Sequence, residues 1–224
     1  MPLPMVHLAI GVQMHELNNN RLTSAFLLGS IAPDAIHMRP DASPDDKRRT
    51  HLSDTADSGE HQRIRELLTH HWAEGSEAVG FVEGYTAHLL ADRMWIQRVL
   101  RPFGARFPLS VPDEELQALY YREADWIDLD LYHRMPWRKE VWAQLAAAEP
   151  IDFQPLLTAK EVGEWRDRTV NWFEERKQES TEKPVFITSS AVEAFISEAA
   201  QAIVGYFAAW KEGLGGEEAP KQSE

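Results

Sequence analysis

Apolar residues recur at intervals of three and four along most of the chain, the spacing that places them on one face of an α-helix. The longest stripe lies near the C-terminus and comprises Val192, Phe195, Ile196, Ala199, Ile203, Phe207 and Trp210. Shorter stripes predict one helix that opens at Asp113, directly after Pro112, and another that ends near Pro150. Alternating runs of Val, Ile and Thr, which are typical of strands, are nearly absent. The pattern therefore predicts an all-α protein.

Polar residues indicate where two of these helices begin. Thr158 with Glu161, and Ser190 with Glu193, have the spacing of a capping box. In that motif the two side chains satisfy free backbone amides of the first helical turn. The spacing predicts helix starts next to Thr158 and next to Ser190.

Length and composition narrow the class of protein further. The chain has 224 residues, enough to bury a core without disulfides. It contains no cysteine, which excludes disulfides and thiolate metal sites, so any metal must be held by His, Asp and Glu. Glycine and charged residues dominate from residue 213 onward, as in a frayed chain end. We expect one compact all-α domain over residues 1–212 and a flexible tail over residues 213–224.

Charge and hydropathy bear on partners and location. The net charge of −13 disfavours a long nucleic acid or an anionic membrane surface as the partner. No apolar run approaches the ~20 residues of a transmembrane helix. The first four residues lack the basic region of a signal peptide. The sequence therefore predicts a cytoplasmic protein without a transmembrane segment.

The interval 39–59 interrupts the helical pattern, because it is polar and rich in Pro, Asp and Ser. Loops of this length in compact domains are commonly functional, and we predict such a loop here. It contains His51 and a basic run at 47–49. The run is either a contact for a phosphate group or a solvated segment balanced by Asp45 and Asp46.

His88 and Asp92 form the most informative pair in the sequence. They are four residues apart in a segment with a helical pattern, so both side chains project from one face. An imidazole and a carboxylate one turn apart can share a metal ion, and both suit zinc. A hydrogen-bonded pair within a helix would have the same spacing.

Three further residues extend this pair to a candidate ligand set. His7 lies in an apolar N-terminal segment, where an uncompensated imidazole is costly to bury. Asp34 follows Pro33 at the end of an apolar segment, and His51 interrupts the polar interval. Each has an ordinary interpretation when taken alone: a satisfied core histidine, a turn carboxylate and a solvated histidine.

Taken in order, these motifs resemble the zinc-dependent phospholipase C family, which is all-α and related to the single-strand-specific zinc nucleases. The shared motifs are an N-terminal helix His, Leu-Gly-x-x-x-Pro-Asp, Thr-His after a loop, and Gly-Tyr-x-x-His-x-x-x-Asp, and the similarity extends to Trp95. The resemblance implies five metal ligands, with the last one bridging two ions: His7, Asp34, His51, His88 and Asp92.

The chain departs from that family at the third metal position. Arg98 stands where the better-known phospholipases have a further His. The only histidine after Asp92 is His133, which has no Glu four residues later, while His70 and Glu74 have that spacing but precede the motif. We therefore expect one or two ions, of zinc or of another divalent transition metal, rather than three.

The resemblance implies a metal-dependent phosphoesterase, and a phosphodiester of lipid or small soluble type is the favoured substrate. Hydrolysis would use metal-activated water, with Asp34 as the catalytic residue that ligates metal and takes a proton. The candidate phosphate contacts are Arg39, Arg48, Arg49 and His37. The alternative is a non-catalytic binding or assembly module with a structural metal ion, which predicts a closed site and unfolding on chelation. A helical protein without metal is the third hypothesis.

Overall fold

The computed structural model describes residues 3–53, 59–176 and 183–215. These residues form helices and contain no β-strand, only an isolated bridge between Phe153 and Leu157. The helices are α1 (Pro4–Asn18), α2 (Ser24–Gly29), α3 (Pro44–Thr50), α4 (Glu60–Ala73), α5 (Val79–Trp95), α6 (Arg101–Gly104), α7 (Asp113–Arg134), α8 (Arg138–Ala146), α9 (Ala159–Glu175) and α10 (Ser189–Gly215). A 3₁₀ helix (Ala32–Met38) follows α2, and a π-helical turn (Ile96–Leu100) follows α5. The all-α prediction is confirmed.

Helices α1 and α5 lie at the centre of the hydrophobic core, because both are buried around most of their circumference. Helix α5 packs against α2 and α4, and α1 packs against α10 and α7. In the described part of the chain, no helix is both long and apolar enough to cross a membrane. A polar side chain on the buried faces of α1 or α5 needs a partner inside the protein.

Two glycines let α2 and α5 come into backbone contact. A Cβ atom added at Gly29 would lie 2.0 Å from the carbonyl oxygen of Phe81, and one at Gly84 would lie 2.1 Å from that of Phe26. Neither position accepts a side chain unless the helices move apart. This close approach brings the Ser30 carbonyl, at the end of α2, beside α5.

The interval 39–59 is not the continuous loop that its composition predicts. Residues Pro44–Thr50 form α3, whose start is closed by a capping box between Ser43 and Asp46. The prediction of a loop throughout was wrong because Ser, Pro and Asp are typical both of turns and of helix N-termini. The part of the predicted loop at 54–58 lies outside the described residues.

Three predicted helix boundaries agree with the structure. The capping box between Thr158 and Glu161 is present at the start of α9, with both hydrogen bonds formed. Helix α7 begins at Asp113, directly after a proline, as predicted. Helix α8 ends at Ala146, shortly before Pro150.

Helix α10 differs from its prediction at both ends. Oγ1 of Thr188 accepts a hydrogen bond from the amide of Ala191, so the helix is capped ahead of Ser190, which lies inside it. The predicted cap was wrong because both hydroxyl residues precede an apolar stripe and sequence spacing alone favours neither. The helix continues to Gly215, so the first residues of the predicted tail are helical, and residues 216–224 lie outside the described residues.

Candidate metal centre

The five predicted metal ligands come from four separate elements and meet in the interior of the protein. His7 lies on α1, while His88 and Asp92 lie on α5. Asp34 lies in the first turn of the 3₁₀ helix, and His51 directly follows the last residue of α3 as its C-cap. Four of them are buried, and the Asp34 side chain retains 15% exposure. The fold therefore brings the whole predicted set together.

Asp34, His51 and His88 approach one another at the distances of a metal site, and Asp92 lies beside the two histidines. Oδ1 of Asp34 lies 3.5 Å from Nε2 of His51, and its Oδ2 lies 3.9 Å from Nε2 of His88. Oδ2 of Asp92 lies 3.8 Å from Nε2 of His51 and 3.7 Å from Nε2 of His88. In a tetrahedral zinc site with N and O ligands at their usual distances, neighbouring ligand atoms are about 3.3 Å apart. The four separations of 3.5–3.9 Å are slightly longer than this.

His7 faces the other carboxylate oxygen of Asp92. Its Nε2 lies 3.4 Å from Oδ1 of Asp92, whereas Oδ2 of the same carboxylate faces His51 and His88. Two groups of three donors meet the distances of a metal site, His7 with His88 and Asp92, and Asp34 with His51 and His88. His88 is common to both groups. Asp92 directs Oδ1 toward His7 and Oδ2 toward His51 and His88, as a carboxylate that bridges two ions would.

Backbone carbonyls orient two of the histidine rings. Nδ1 of His88 donates to the carbonyl oxygen of Ser30 at 2.9 Å, and Nδ1 of His51 donates to that of Lys47 at 3.0 Å. A ring that donates from Nδ1 leaves the lone pair of Nε2 free, and metal-ligating histidines commonly have such a partner. Both rings therefore present Nε2 to the centre of the cluster.

A hydrogen bond from α5 fixes the position of α3. The hydroxyl of Tyr85, on α5, donates to the carbonyl oxygen of Thr50, in the last turn of α3. Burial raises the pKa of the Tyr85 hydroxyl well above its ordinary value, so the hydroxyl stays a donor. This bond holds the end of α3, and therefore His51, against α5.

Each of the five side chains has at least one buried nitrogen or oxygen atom that could ligate a metal and makes no well-aligned hydrogen bond. These atoms are Nδ1 and Nε2 of His7, Oδ1 of Asp34, Nε2 of His51, Nε2 of His88, and Oδ1 and Oδ2 of Asp92. Burial of so many unpaired polar atoms costs several kcal/mol unless another group satisfies them. Imidazole nitrogens and carboxylate oxygens are ligands that zinc takes in proteins. The residues present therefore fit a divalent transition-metal ion.

The charges in the cluster favour the protonation states that bind metal. Burial raises the pKa of Asp34, but His51 and His88 outweigh it and hold this pKa below its ordinary range. The pKa of Asp92 is lowered in the same way by His88 and His7 against the effect of burial. Burial, assisted by the neighbouring His7, lowers the pKa of His88 to about 4. At neutral pH both carboxylates are ionised and His88 is neutral, the forms that ligate a metal.

The three arginines predicted to contact phosphate have carboxylate partners of their own. Arg39, Arg48 and Arg49 pair with Glu161, Asp45 and Asp46, respectively. The pairs of Arg48 and Arg49 agree with the interpretation of the basic run as a solvated segment that Asp45 and Asp46 balance. Arg39 is held more firmly, since its Nε and Nη2 lie 2.7 and 3.2 Å from the two carboxylate oxygens of Glu161.

Lys47, rather than its arginine neighbours, reaches the cluster. Its Nζ lies 3.9 Å from Oδ1 of Asp34 and 3.2 Å from Nε2 of His37. Nε2 of His37, the fourth predicted phosphate contact, lies 3.8 Å from the same oxygen of Asp34. The sequence does not distinguish Lys47 from the rest of the basic run. The signal was its spacing of four residues from His51, which has meaning only once 44–50 is known to be helical.

A cleft of about 280 Å³ opens beside the cluster. Its wall includes His51 and Asp92, together with Lys47 and the apolar side chains of Leu89 and Ile96. A small molecule in this cleft would touch two of the candidate ligands. The cluster is therefore accessible from one side.

Three other histidines lie away from the cluster. Nδ1 of His15 donates to a carbonyl of its own helix, and His61 packs against aromatic side chains of α10. His70 pairs with Glu74 on the exposed face of α4. Both donor groups that meet metal-site distances in the described residues belong to the one cluster.

Comparisons of the chain with protein-family models, with curated proteins and with solved structures find no match. The chemistry assigned to this centre therefore rests on the arrangement of its own five side chains.

Proposed function

We propose that the protein is a metal-dependent phosphoesterase that hydrolyses a phosphodiester, as its resemblance to zinc-dependent phospholipases C implies. The observation that carries the proposal is the convergence of five side chains, each with a buried nitrogen or oxygen atom that lacks a hydrogen bond, next to an accessible cleft. A purely structural polar cluster would satisfy its own donors and acceptors. We include a cytoplasmic location in the proposal, on sequence grounds alone.

Each of the five side chains has a role in this proposal. Asp34, His51 and His88 would hold one zinc ion, and Asp92 would bridge it to a second ion that His7 would ligate. Zinc bound here supplies a water of lowered pKa and a Lewis acid for phosphoryl oxygens. Asp34 is the more exposed of the two carboxylates, with 15% against 7% for Asp92, and we assign to it the acceptance of the proton of the attacking water.

The substrate class follows from the size and charge of the site. A cleft of about 280 Å³ is near the lower end of small-molecule pockets and suits a small phosphodiester or the headgroup of a lipid. The net charge of −13 disfavours long nucleic acids. We therefore propose a small soluble or lipid phosphodiester.

The test is zinc content and hydrolysis of bis(p-nitrophenyl) phosphate by the full chain, the variant Asp34→Asn and the control Asp41→Asn. Asp41 is exposed and lies in the left-handed region at φ 56°, which Asn also adopts readily. We expect one to two equivalents of zinc in the wild type. Asp34→Asn should lose at least about a hundredfold in kcat, as for a lost proton acceptor, and Asp41→Asn should match the wild type.

Zinc-loaded protein that hydrolyses neither phosphodiesters nor phosphomonoesters would contradict the proposal. The non-catalytic alternative has its own support, because His7, His88 and Asp92 lie between the central helices α1 and α5. It predicts that removal of the metal with a chelator abolishes helical circular dichroism. The phosphoesterase proposal predicts that chelation abolishes hydrolysis and leaves most of the helicity.

A further inference from the structure

We infer that Lys47 is the residue that binds the non-bridging phosphoryl oxygens of the substrate at this centre. The inference rests on the proposed function, because it concerns how the same site recognises a phosphate group. It assigns this contact to Lys47 rather than to Arg39, Arg48 or Arg49.

The position of the ammonium group carries the first part of the argument. Nζ of Lys47 lies 3.9 Å from Oδ1 of Asp34. Arg48 lines the cleft too, but its guanidinium pairs with Asp45, whereas Lys47 both lines the cleft and reaches a candidate ligand. The side chain is 38% exposed, so a ligand can reach it from solvent. His51 and Asp92 line the same cleft. An anion bound there meets the lysine and the metal ligands together.

The backbone of Lys47 is fixed to the centre as well. Its carbonyl oxygen accepts the hydrogen bond from Nδ1 of His51, while its side chain reaches Asp34. One residue thus orients a candidate ligand through its main chain and places a positive charge beside another through its side chain. Such anchoring keeps the backbone of Lys47 beside the metal position, within reach of its side chain.

Charge provides the third part of the argument. Each of the three arginines has a carboxylate partner that is not a candidate metal ligand, whereas the carboxylate beside Lys47 is Asp34 itself. The positive charge of Lys47, next to the metal ligand Asp34, opposes the binding of a metal cation. When Asp34 ligates a metal, the charge of Lys47 loses its compensation. An anion held between the lysine and the metal restores it, and a phosphoryl group is such an anion.

The experiment measures binding of inorganic phosphate to the zinc-loaded full chain by calorimetry, in the wild type, Lys47→Met and Lys47→Arg. The matched control is Lys160→Met, since Lys160 is 82% exposed and pairs with Glu164 on α9. We expect phosphate to bind about tenfold more weakly to Lys47→Met, as for the loss of one charge-assisted contact. Lys47→Arg should remain within about threefold of the wild type, and Lys160→Met should not change phosphate affinity.

Zinc affinity and thermal unfolding are measured on the same variants. Lys47→Met should bind zinc as tightly as the wild type or more tightly, because a repelling charge is gone. Equal phosphate affinity in Lys47→Met and the wild type overturns the inference. So does a wild type that takes up no zinc, or one that binds zinc without binding phosphate. Phosphate binding that depends on Lys47 in a protein without esterase activity supports the inference and refutes the proposed function.

Discussion

The imidazole rings of His7 and His88 lie face to face, with their centroids 3.8 Å apart and their planes 9° apart. Both rings are buried, and Nε2 of each makes no well-aligned hydrogen bond. Two protonated imidazoles at this distance would repel each other strongly. Burial, together with the neighbouring His7, accordingly lowers the pKa of His88 to about 4. His88 is therefore neutral at physiological pH and can ligate a metal without first losing a proton.

The two stacked histidines should differ in their effect on metal content. His88 would ligate the ion that Asp34 and His51 also hold, whereas His7 would ligate only the second ion, which has fewer ligands. We expect His7→Ala to retain one equivalent of zinc and His88→Ala to retain none after gel filtration, as measured by elemental analysis. His15→Ala serves as the control, because His15 bonds to its own helix and lies outside both groups. Equal zinc loss in His7→Ala and His88→Ala would contradict the assignment of two metal positions that share Asp92.

Zinc should stabilise the fold, because it satisfies donor atoms that are otherwise buried without partners. At free zinc about a hundredfold above Kd, the free energy of unfolding should rise by about 2.7 kcal/mol. For a chain of 224 residues this corresponds to a rise in Tm of roughly 5–10 °C. Differential scanning calorimetry with and without zinc measures it. The same titration of His88→Ala should leave Tm unchanged, and an equal shift there would place the zinc elsewhere.

The contact between α2 and α5 should not tolerate a methyl group. In Gly84→Ala the new Cβ would lie 2.1 Å from the Phe26 carbonyl, so the helices must separate, at a cost of about 3 kcal/mol or more. The separation also moves the Ser30 carbonyl away from His88, so zinc affinity should fall.

The matched control for this glycine is Gly205→Ala on α10. Nothing lies within 4 Å of a Cβ at Gly205, so alanine should raise stability there by about 0.5–1 kcal/mol. Urea unfolding of both variants measures the difference. Similar changes in the free energy of unfolding for the two variants would show that α2 and α5 can make room for a methyl group.

The pair between Arg39 and Glu161 should make stability depend on pH. Burial raises the pKa of Glu161, but the hydrogen bonds from Arg39 and Thr158 outweigh it and lower the pKa below its ordinary value. The unfolded chain therefore binds a proton more readily, and this stabilisation is present above about pH 4.5 and is lost as the pH falls further. We expect Arg39→Met to cost about 1–2 kcal/mol at pH 7 and less at pH 3.5 in urea unfolding of metal-free protein.

Arg49→Met is the control for the measurements on Arg39→Met at the two pH values. The Arg49 side chain is 71% exposed, and its pair with Asp46 should contribute no more than about 0.5 kcal/mol at either pH. If Arg39→Met left stability unchanged and weakened phosphate binding instead, Arg39 would be a substrate contact, as the sequence analysis predicts.

Periodicity was sufficient for the helices, because burial of an apolar face repeats in the sequence with the period of the helix. Periodicity with Pro112 predicted the start of α7 correctly, and the capping-box spacing of Thr158 and Glu161 predicted that of α9. Periodicity failed at α3, a polar helix of seven residues whose capping box has the composition of a turn. The error had a consequence, since without α3 the spacing between Lys47 and His51 carries no information.

The sequence by itself determined the helical class, the pairing of His88 with Asp92 one turn apart, and the residue types from which a zinc site can be built. Only the tertiary structure decided that His7, Asp34 and His51 reach that pair. It also decided that Lys47 reaches Asp34, while Arg39, Arg48 and Arg49 pair with other carboxylates. The physical reason is that spacing along one helix is set by local backbone geometry. The approach of separate helices depends instead on packing between distant residues, such as the contact that Gly29 and Gly84 permit.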